Sequence, residues 1–191
     1  MSPPPLPSLI DMLADPERTA VIDLARDAVT SAVLGGPAPE PPSIPVFTRV
    51  AGAFVTLTSA GELRGCIGQV EPRDSLGAVI VHCAAAAALE DPRFPPVSPN
   101  ELPSLRVDVS ILSRAEEVTD TDRIVVGRHG LIVSHNGFRG LLLPQVATEH
   151  GWTRDQFLEQ TCRKAGLPRD AWQRGARVYC FEAEVVEEKK R

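Results

Sequence analysis

Cysteine is scarce in this chain, and the company it lacks is informative. The four cysteines stand at 66, 83, 162 and 180, with no C-x-x-C pair and no histidine at metal-ligand spacing. That pattern argues against a structural zinc site and gives no reason to expect a bound metal or cofactor. Four scattered thiols are most simply explained by a reducing compartment, so a cytoplasmic setting is expected. Long apolar runs are missing as well. The longest, VIVHCAAAAAL at 79–89, is far too short to span a bilayer, so no membrane partner is expected. The start, MSPPPLPSLIDML, has no basic segment leading into an apolar core and does not read as a signal peptide. Positive charge is in deficit, with 20 Lys and Arg against 25 Asp and Glu, and aromatic residues make up only 5%. Such a surface is a poor match to a phosphate backbone, so nucleic acid is not an expected partner. The basic run Lys189-Lys190-Arg191 reads as a solvated tail. Neither G-x-G-x-x-G after a strand nor G-x-x-x-x-G-K-[ST] occurs, which argues against Rossmann and P-loop enzymes.

What is present suffices for one globular domain, or one domain with a smaller lobe: 191 residues, 43% of them hydrophobic. Residues 1–15 are Pro-rich, and poor order is expected there. Apolar residues at helical spacing (Ala20, Val21, Leu24, Ala28, Val29) predict a helix over 16–34, started by Asp15-Pro16 and stopped by Gly35-Gly36. A Pro-rich linker over 35–45 leads to the main body, 46–188. There, 47–58 and 62–70 read as a β-hairpin, and 74–90 as a helix whose five consecutive alanines allow close approach of another element. A strand is expected at 105–112, and a second hairpin over 130–143 turns at Asn136-Gly137. Helices over about 145–150 and 153–165 and a closing strand at 176–186 complete the reading. Hairpins dominate, so the fold class is α/β of the α+β type, with a mixed, largely antiparallel sheet and flanking helices.

One segment stands apart. In ELRGCIGQV, strand alternation puts Leu63, Gly65 and Ile67 on an apolar, core-facing side, and Arg64, Cys66 and Gly68 on the other. The expectation is a guanidinium beside a thiol, with the glycines leaving room. An arginine so placed favours the thiolate that attacks electrophiles, or holds an anionic ligand through paired hydrogen bonds. The alternative stays open: glycine in a strand also marks a close backbone crossing, and free cysteine is often a small buried residue. Arg93, in the rigid DPRFPP loop, supplies a second cation to a site or pairs with Asp91. Arg128 and His129, in VGRHG, are ligand contacts or turn residues, and Gln145 bonds a ligand or starts a helix. His82 reads as a core histidine, and Cys83, Cys162 and Cys180 as packing residues.

The segments LRGCIG, GAFVTLTSAGELRGCIGQVEP, AAAALEDPRFPPVSPNEL, VGRHGLIV, RGLLLPQVA and KAGLPRDAW occur in one order, and together resemble the AMMECR domain family. Its bacterial branch is called AmmeMemoRadiSam system protein A. The resemblance spans residues 16–186. It implies an α/β domain with a larger and a smaller lobe around a cleft near the hexapeptide. It also implies partnership with a Memo-like protein and a radical S-adenosylmethionine protein. The family has no established reaction, so the resemblance speaks to fold more than to function. The chain lacks the C-x-x-x-C-x-x-C motif of a radical enzyme. The expected site is therefore Cys66 as the catalytic residue, with Arg64, Gly65, Gly68, Arg93, His129 and Gln145 as ligand-binding residues. LRGCIG, DPRFPP and VGRHG are expected to line one cleft. The expected role is an enzyme or enzyme subunit acting on a small polar or anionic molecule in a modification pathway. The alternatives are a non-catalytic adaptor or ligand-binding module and, less favoured by charge, nucleotide or RNA binding.

Overall fold

In AFVTLTS the first, third and fifth residues are aliphatic and those between them are polar or aromatic, the pattern of a strand buried on one side. The computed structural model of the protein describes residues 13–71 and 73–189. In it this segment is strand β1 (Ala53–Ser59), with Ala53, Val55 and Leu57 buried and Phe54, Thr56 and Thr58 half-buried. The expected strand over 47–58 is correct only in this second half. Pro45–Thr48 form a helical turn, α2, since proline suits a first helical position and the turn buries Val46 and Phe47.

The chain divides into two compact units. Of the described residues, one holds those from Leu13 to Leu112 together with those from Glu184 to Lys189, and the other holds Ser113–Ala183. In the first unit, helix α1 (Asp15–Leu34) begins one residue earlier than the expected 16–34, where the Glu17 carboxylate accepts the Ala14 amide at 3.0 Å. Gly35, at φ 71°, ends it. The expectation of poor order over 1–15 falls mostly outside the described residues. Strand β2 (Glu62–Gln69) is followed by helix α3 (Leu76–Leu89), capped by Ser75, whose hydroxyl accepts the Ala78 amide. Strand β3 (Leu105–Leu112) occupies the residues its alternation predicts. A short 3-10 turn over Pro99–Ser104 precedes it and has no counterpart in the sequence reading.

β1 pairs antiparallel with both β2 and β3, so the strand order in this unit is β2-β1-β3. Apolar residues of α1 and α3 cover one face of the sheet, in a core that includes Val21, Leu24, Ile80, Cys83, Val55, Val107 and Val109. The alanines of α3 let the helix come very close. A Cβ placed on Gly65 would lie 2.1 Å from the Ala87 carbonyl oxygen.

In the second unit, β5 (His129–His135) and β6 (Phe138–Leu142) form the expected hairpin, with Asn136 at φ 49° and Gly137 at φ 84°. Strand β7 (Arg177–Glu187) pairs antiparallel with β5, and the short β4 (Glu116–Glu117), not anticipated, pairs with β7. Helices α4 (Pro144–Glu149) and α5 (Arg154–Lys164) follow β6. Thr153 caps α5, which buries Phe157, Leu158 and Cys162 against Leu131, Val133 and Val178. The α+β class and the antiparallel sheet are thus as the sequence pattern predicts.

Candidate active site

The register of β1 against β2 explains where the hexapeptide points its side chains. Leu57 lies opposite Gly65, but Thr58 lies opposite Leu63, so Arg64 is an extra residue in a bulge. The simple alternation expected for 62–70 breaks there. Leu63 was expected to face the core and is instead 41% exposed. Beyond the bulge the period is intact: Cys66 pairs with Thr56, and Gly68 with Phe54.

The glycines do make room, but protein fills it. The space at Gly65 holds the backbone of α3. At Gly68, a Cβ would lie 2.3 Å from the Phe54 ring and 2.7 Å from the Ala53 carbonyl. The space beside each glycine is taken by protein, which matches the close backbone crossing that the sequence reading held as its alternative.

β2 is an edge strand, which normally leaves backbone groups unpaired. At Cys66 a loop supplies the missing partners. The Cys66 amide donates to Asp91 Oδ2 at 2.8 Å, and Arg93 Nη2 donates to the Cys66 carbonyl at 3.3 Å. Both backbone groups therefore point away from β1. Thr56 and Cys66 form a non-hydrogen-bonded antiparallel pair, the kind with closely spaced side chains. The Thr56 hydroxyl accordingly donates to Cys66 Sγ at 3.4 Å.

Asp91 and Arg93 are tied by more than charge. Arg93 donates to Asp91 from its amide at 3.1 Å, from Nε at 2.9 Å and from Nη2 at 2.7 Å. The Asp91 side chain is 3% exposed and that of Arg93 is 53% exposed. The Arg93 bonds hold the Asp91 carboxyl well below the usual carboxylate range, against the effect of burial and with help from the Cys66 amide. Arg93 is held further toward its charged form, first by Asp91 and also by the Cys66 side chain. Nε and Nη2 are engaged with Asp91 and the Cys66 carbonyl, yet the side chain is more than half exposed, so part of the guanidinium remains open.

Arg64 does something else. Its Nε and Nη2 donate to Glu101 at 2.7 and 3.2 Å, and Nη1 and Nη2 donate to the carbonyls of Pro95 and Pro96 at 2.9 and 3.4 Å. The paired arginine, together with the Ser98 amide, lowers Glu101 to about 2. Arg64 thus fastens the proline-rich loop, and the guanidinium at the thiol is Arg93. Sequence reading named both arginines but missed Asp91 as the residue joining loop to strand. The D-x-R spacing in EDPRFPP was its only visible signal.

Cys66 is half-buried, while Cys83, Cys162 and Cys180 are fully buried, and none of the four is in a disulfide. Burial pushes Cys83 and Cys180 up to about 11 and also raises Cys162. His82 was expected in the core and is exposed, because it lies off the face that α3 packs against the sheet. No group of three or more His, Cys, Asp or Glu able to hold a metal occurs among the described residues.

His129 and Gln145 lie in the second unit. His129 is fully buried, and its Nδ1 accepts the Val125 amide at 3.1 Å, which leaves the proton on Nε2. Nε2 lies 3.8 Å from Glu182 and makes no hydrogen bond. Arg128 donates to the same Glu182 oxygen. The imidazole is thus held neutral inside the unit, its pKa lowered by burial and then by Arg128. Gln145 sits in the first turn of α4 with a half-buried side chain.

The family model AMMECR1 matches residues 22–186. A protein of Methanosarcina acetivorans is 45% identical to this chain, covering 94% of it and 95% of the relative. One from Methanothermobacter thermautotrophicus is 43% identical, covering 92% and 96%. The crystal structure of the uncharacterized protein PH0010 from Pyrococcus horikoshii superposes with a TM-score of 0.84 at 39% identity. That alignment covers 93% of this chain and 94% of the other.

Proposed function

The chain belongs to the AMMECR1 family, and from that premise and the geometry around Cys66 we propose that it acts, as an enzyme or enzyme subunit, on a small polar or anionic molecule. One observation carries the reading: the half-buried thiol of Cys66 sits where the Thr56 hydroxyl donates to sulfur and Arg93 keeps one guanidinium edge open. A thiol is a nucleophile in its deprotonated form, and neighbouring donors stabilise that form. An arginine with a free edge holds a carboxylate or phosphate through directed hydrogen bonds. Cys66 is then the catalytic residue and Arg93 the anion-holding one, with Arg64 keeping the loop in place.

The proposed setting is a cytoplasmic modification pathway shared with a Memo-like protein and a radical S-adenosylmethionine protein. Four unpaired thiols suit a reducing compartment. The difficult bond chemistry would fall to the radical partner, since this chain carries no cluster motif.

Mass spectrometry of the gently purified protein, alone and with those two partners, tests the proposal. The expected result is a co-purifying anionic compound, or an adduct on the Cys66 peptide, that disappears in Cys66→Ser and Arg93→Gln. Identical small-molecule content in the wild type and both variants would overturn it, and a stable protein complex without any small molecule would favour an adaptor.

A further inference from the structure

The bonds around Asp91 point to a role for a residue that itself offers nothing to a ligand. We infer that Asp91 is the positioning residue of the site, holding the Cys66 backbone and the Arg93 guanidinium as one rigid unit so that the open edge of Arg93 draws anions toward the thiol. The inference rests on the proposed function at Cys66 and adds what makes that site selective for anionic ligands.

Three features carry it. First, the Asp91 carboxylate is spent entirely inside the protein. It is 3% exposed and accepts from the Cys66 amide, the Arg93 amide, Arg93 Nε and Arg93 Nη2. A carboxylate so enclosed is no base or ligand, but it fixes every group bonded to it. Second, the bonds run in two directions. One joins the loop to β2, 25 residues away in sequence, and the others fold Arg93 back on its own loop. Third, Arg93 Nη2 closes the ring by donating to the Cys66 carbonyl. Without Asp91, a half-exposed arginine on a surface loop would sample many rotamers, and the edge strand would lose an amide partner. With it, Nε and Nη2 are engaged, and the exposed remainder of the guanidinium is held in one place.

The geometry also names a ligand class. The open edge offers charge and N–H donors beside a nucleophilic sulfur. It suits a small molecule whose carboxylate or phosphate lies close to an electrophilic or sulfur-binding centre.

Two alkylating probes separate this role from a merely structural one. Iodoacetate is anionic and iodoacetamide is neutral, while the same sulfur displaces iodide from the carbon of either. Their rate ratio at Cys66 reports attraction of an anion, independently of how accessible the thiol is. Replacing Arg93 by Gln is expected to lower the ratio about three- to fivefold, the size of an interaction between partly exposed charges. Asp91→Asn is expected to lower it as much and to add nothing in the Arg93→Gln background. Because Asp91→Asn loosens the fold, the ratio is also read in Asp91→Glu, which retains the charge and is expected to recover part of it. Thermal unfolding confirms that each variant is folded at the labelling temperature. If the ratio depends on Arg93 but is unchanged in Asp91→Asn, the positioning role is wrong and the proposed site stands. If the ratio is the same in wild type and Arg93→Gln, the anion-holding reading of the site fails and this inference with it.

Discussion

The Asp91 carboxylate accepts the Cys66 amide at 2.8 Å, so that a buried side chain stands in for the neighbour an edge strand lacks. The device recurs in the same unit. Glu188 donates its amide to Asp108 Oδ1 at 3.1 Å, and its carbonyl accepts from Arg106 Nη2 at 2.8 Å. In both places an aspartate and an arginine two residues apart take the N–H and the C=O of a single residue. At Glu188 the pair secures the end of β7. At Cys66 it also leaves a cation beside a thiol, and the candidate chemistry begins there.

Removing the carboxylate is expected to be costly. Asp91→Ala strands the Cys66 amide and half of the Arg93 donors, with an expected loss of about 2–3 kcal/mol in urea denaturation. The pH dependence has a definite sign. The folded Asp91 is held below its ordinary range, so its contribution is complete above the unfolded value of about 3.9 and is lost as pH falls below it. Denaturation midpoints of wild type and Asp91→Asn should therefore converge as pH drops below about 4.

His129 predicts a second pH effect in a different window. Burial lowers its folded value from 6.5, so the stability it contributes is present above that pH and is lost as pH falls through the folded value. His129→Gln, which does not titrate, should show a shallower decline in thermal midpoint between pH 7 and pH 5 than the wild type.

The two glycines of the hexapeptide are expected to be intolerant for packing reasons. Gly65→Ala drives a methyl group into the Ala87 carbonyl, which belongs to a helix backbone and cannot step aside. The expected cost is about 3 kcal/mol. Gly68→Ala meets the Phe54 side chain and, less closely, the Ala53 carbonyl, and neither contact is as short as the one at Gly65. Denaturation should rank Gly65→Ala as the more damaging of the two.

How much of this was legible in the sequence differs from residue to residue. Alternation in LRVDVSIL and the Asn136-Gly137 turn sufficed for β3 and for the second hairpin, because short-range geometry decides both. The alanines of α3 announced a close approach, and Gly65 supplies its other side. Arg64 was misplaced because a bulge is a property of two strands in register, and no single strand's pattern records it. Asp91 was passed over because its importance lies in a bond across 25 residues. His82 was read as buried from the apolar run around it, although helical period places it on the outer side of α3.

Arg64 offers a control on the assignment of roles. Arg64→Ala releases Glu101 and two proline carbonyls and should cost about 1–2 kcal/mol. It should leave the iodoacetate-to-iodoacetamide rate ratio at Cys66 close to that of the wild type, whereas Arg93→Gln should lower it. A fall in that ratio in the Arg64 variant as large as in the Arg93 variant would return the thiol's charge partner to Arg64.

The central claim is that Cys66 is the one thiol the fold holds open for chemistry, and peptide-resolved iodoacetamide labelling of the native protein tests it most directly. Cys83, Cys162 and Cys180 are completely buried, and burial pushes each toward the unreactive protonated form. Near neutral pH the Cys66 peptide should be modified first, and the other three should remain unlabelled until the protein is unfolded. Labelling of Cys66 no faster than that of Cys83, Cys162 and Cys180 would contradict the account.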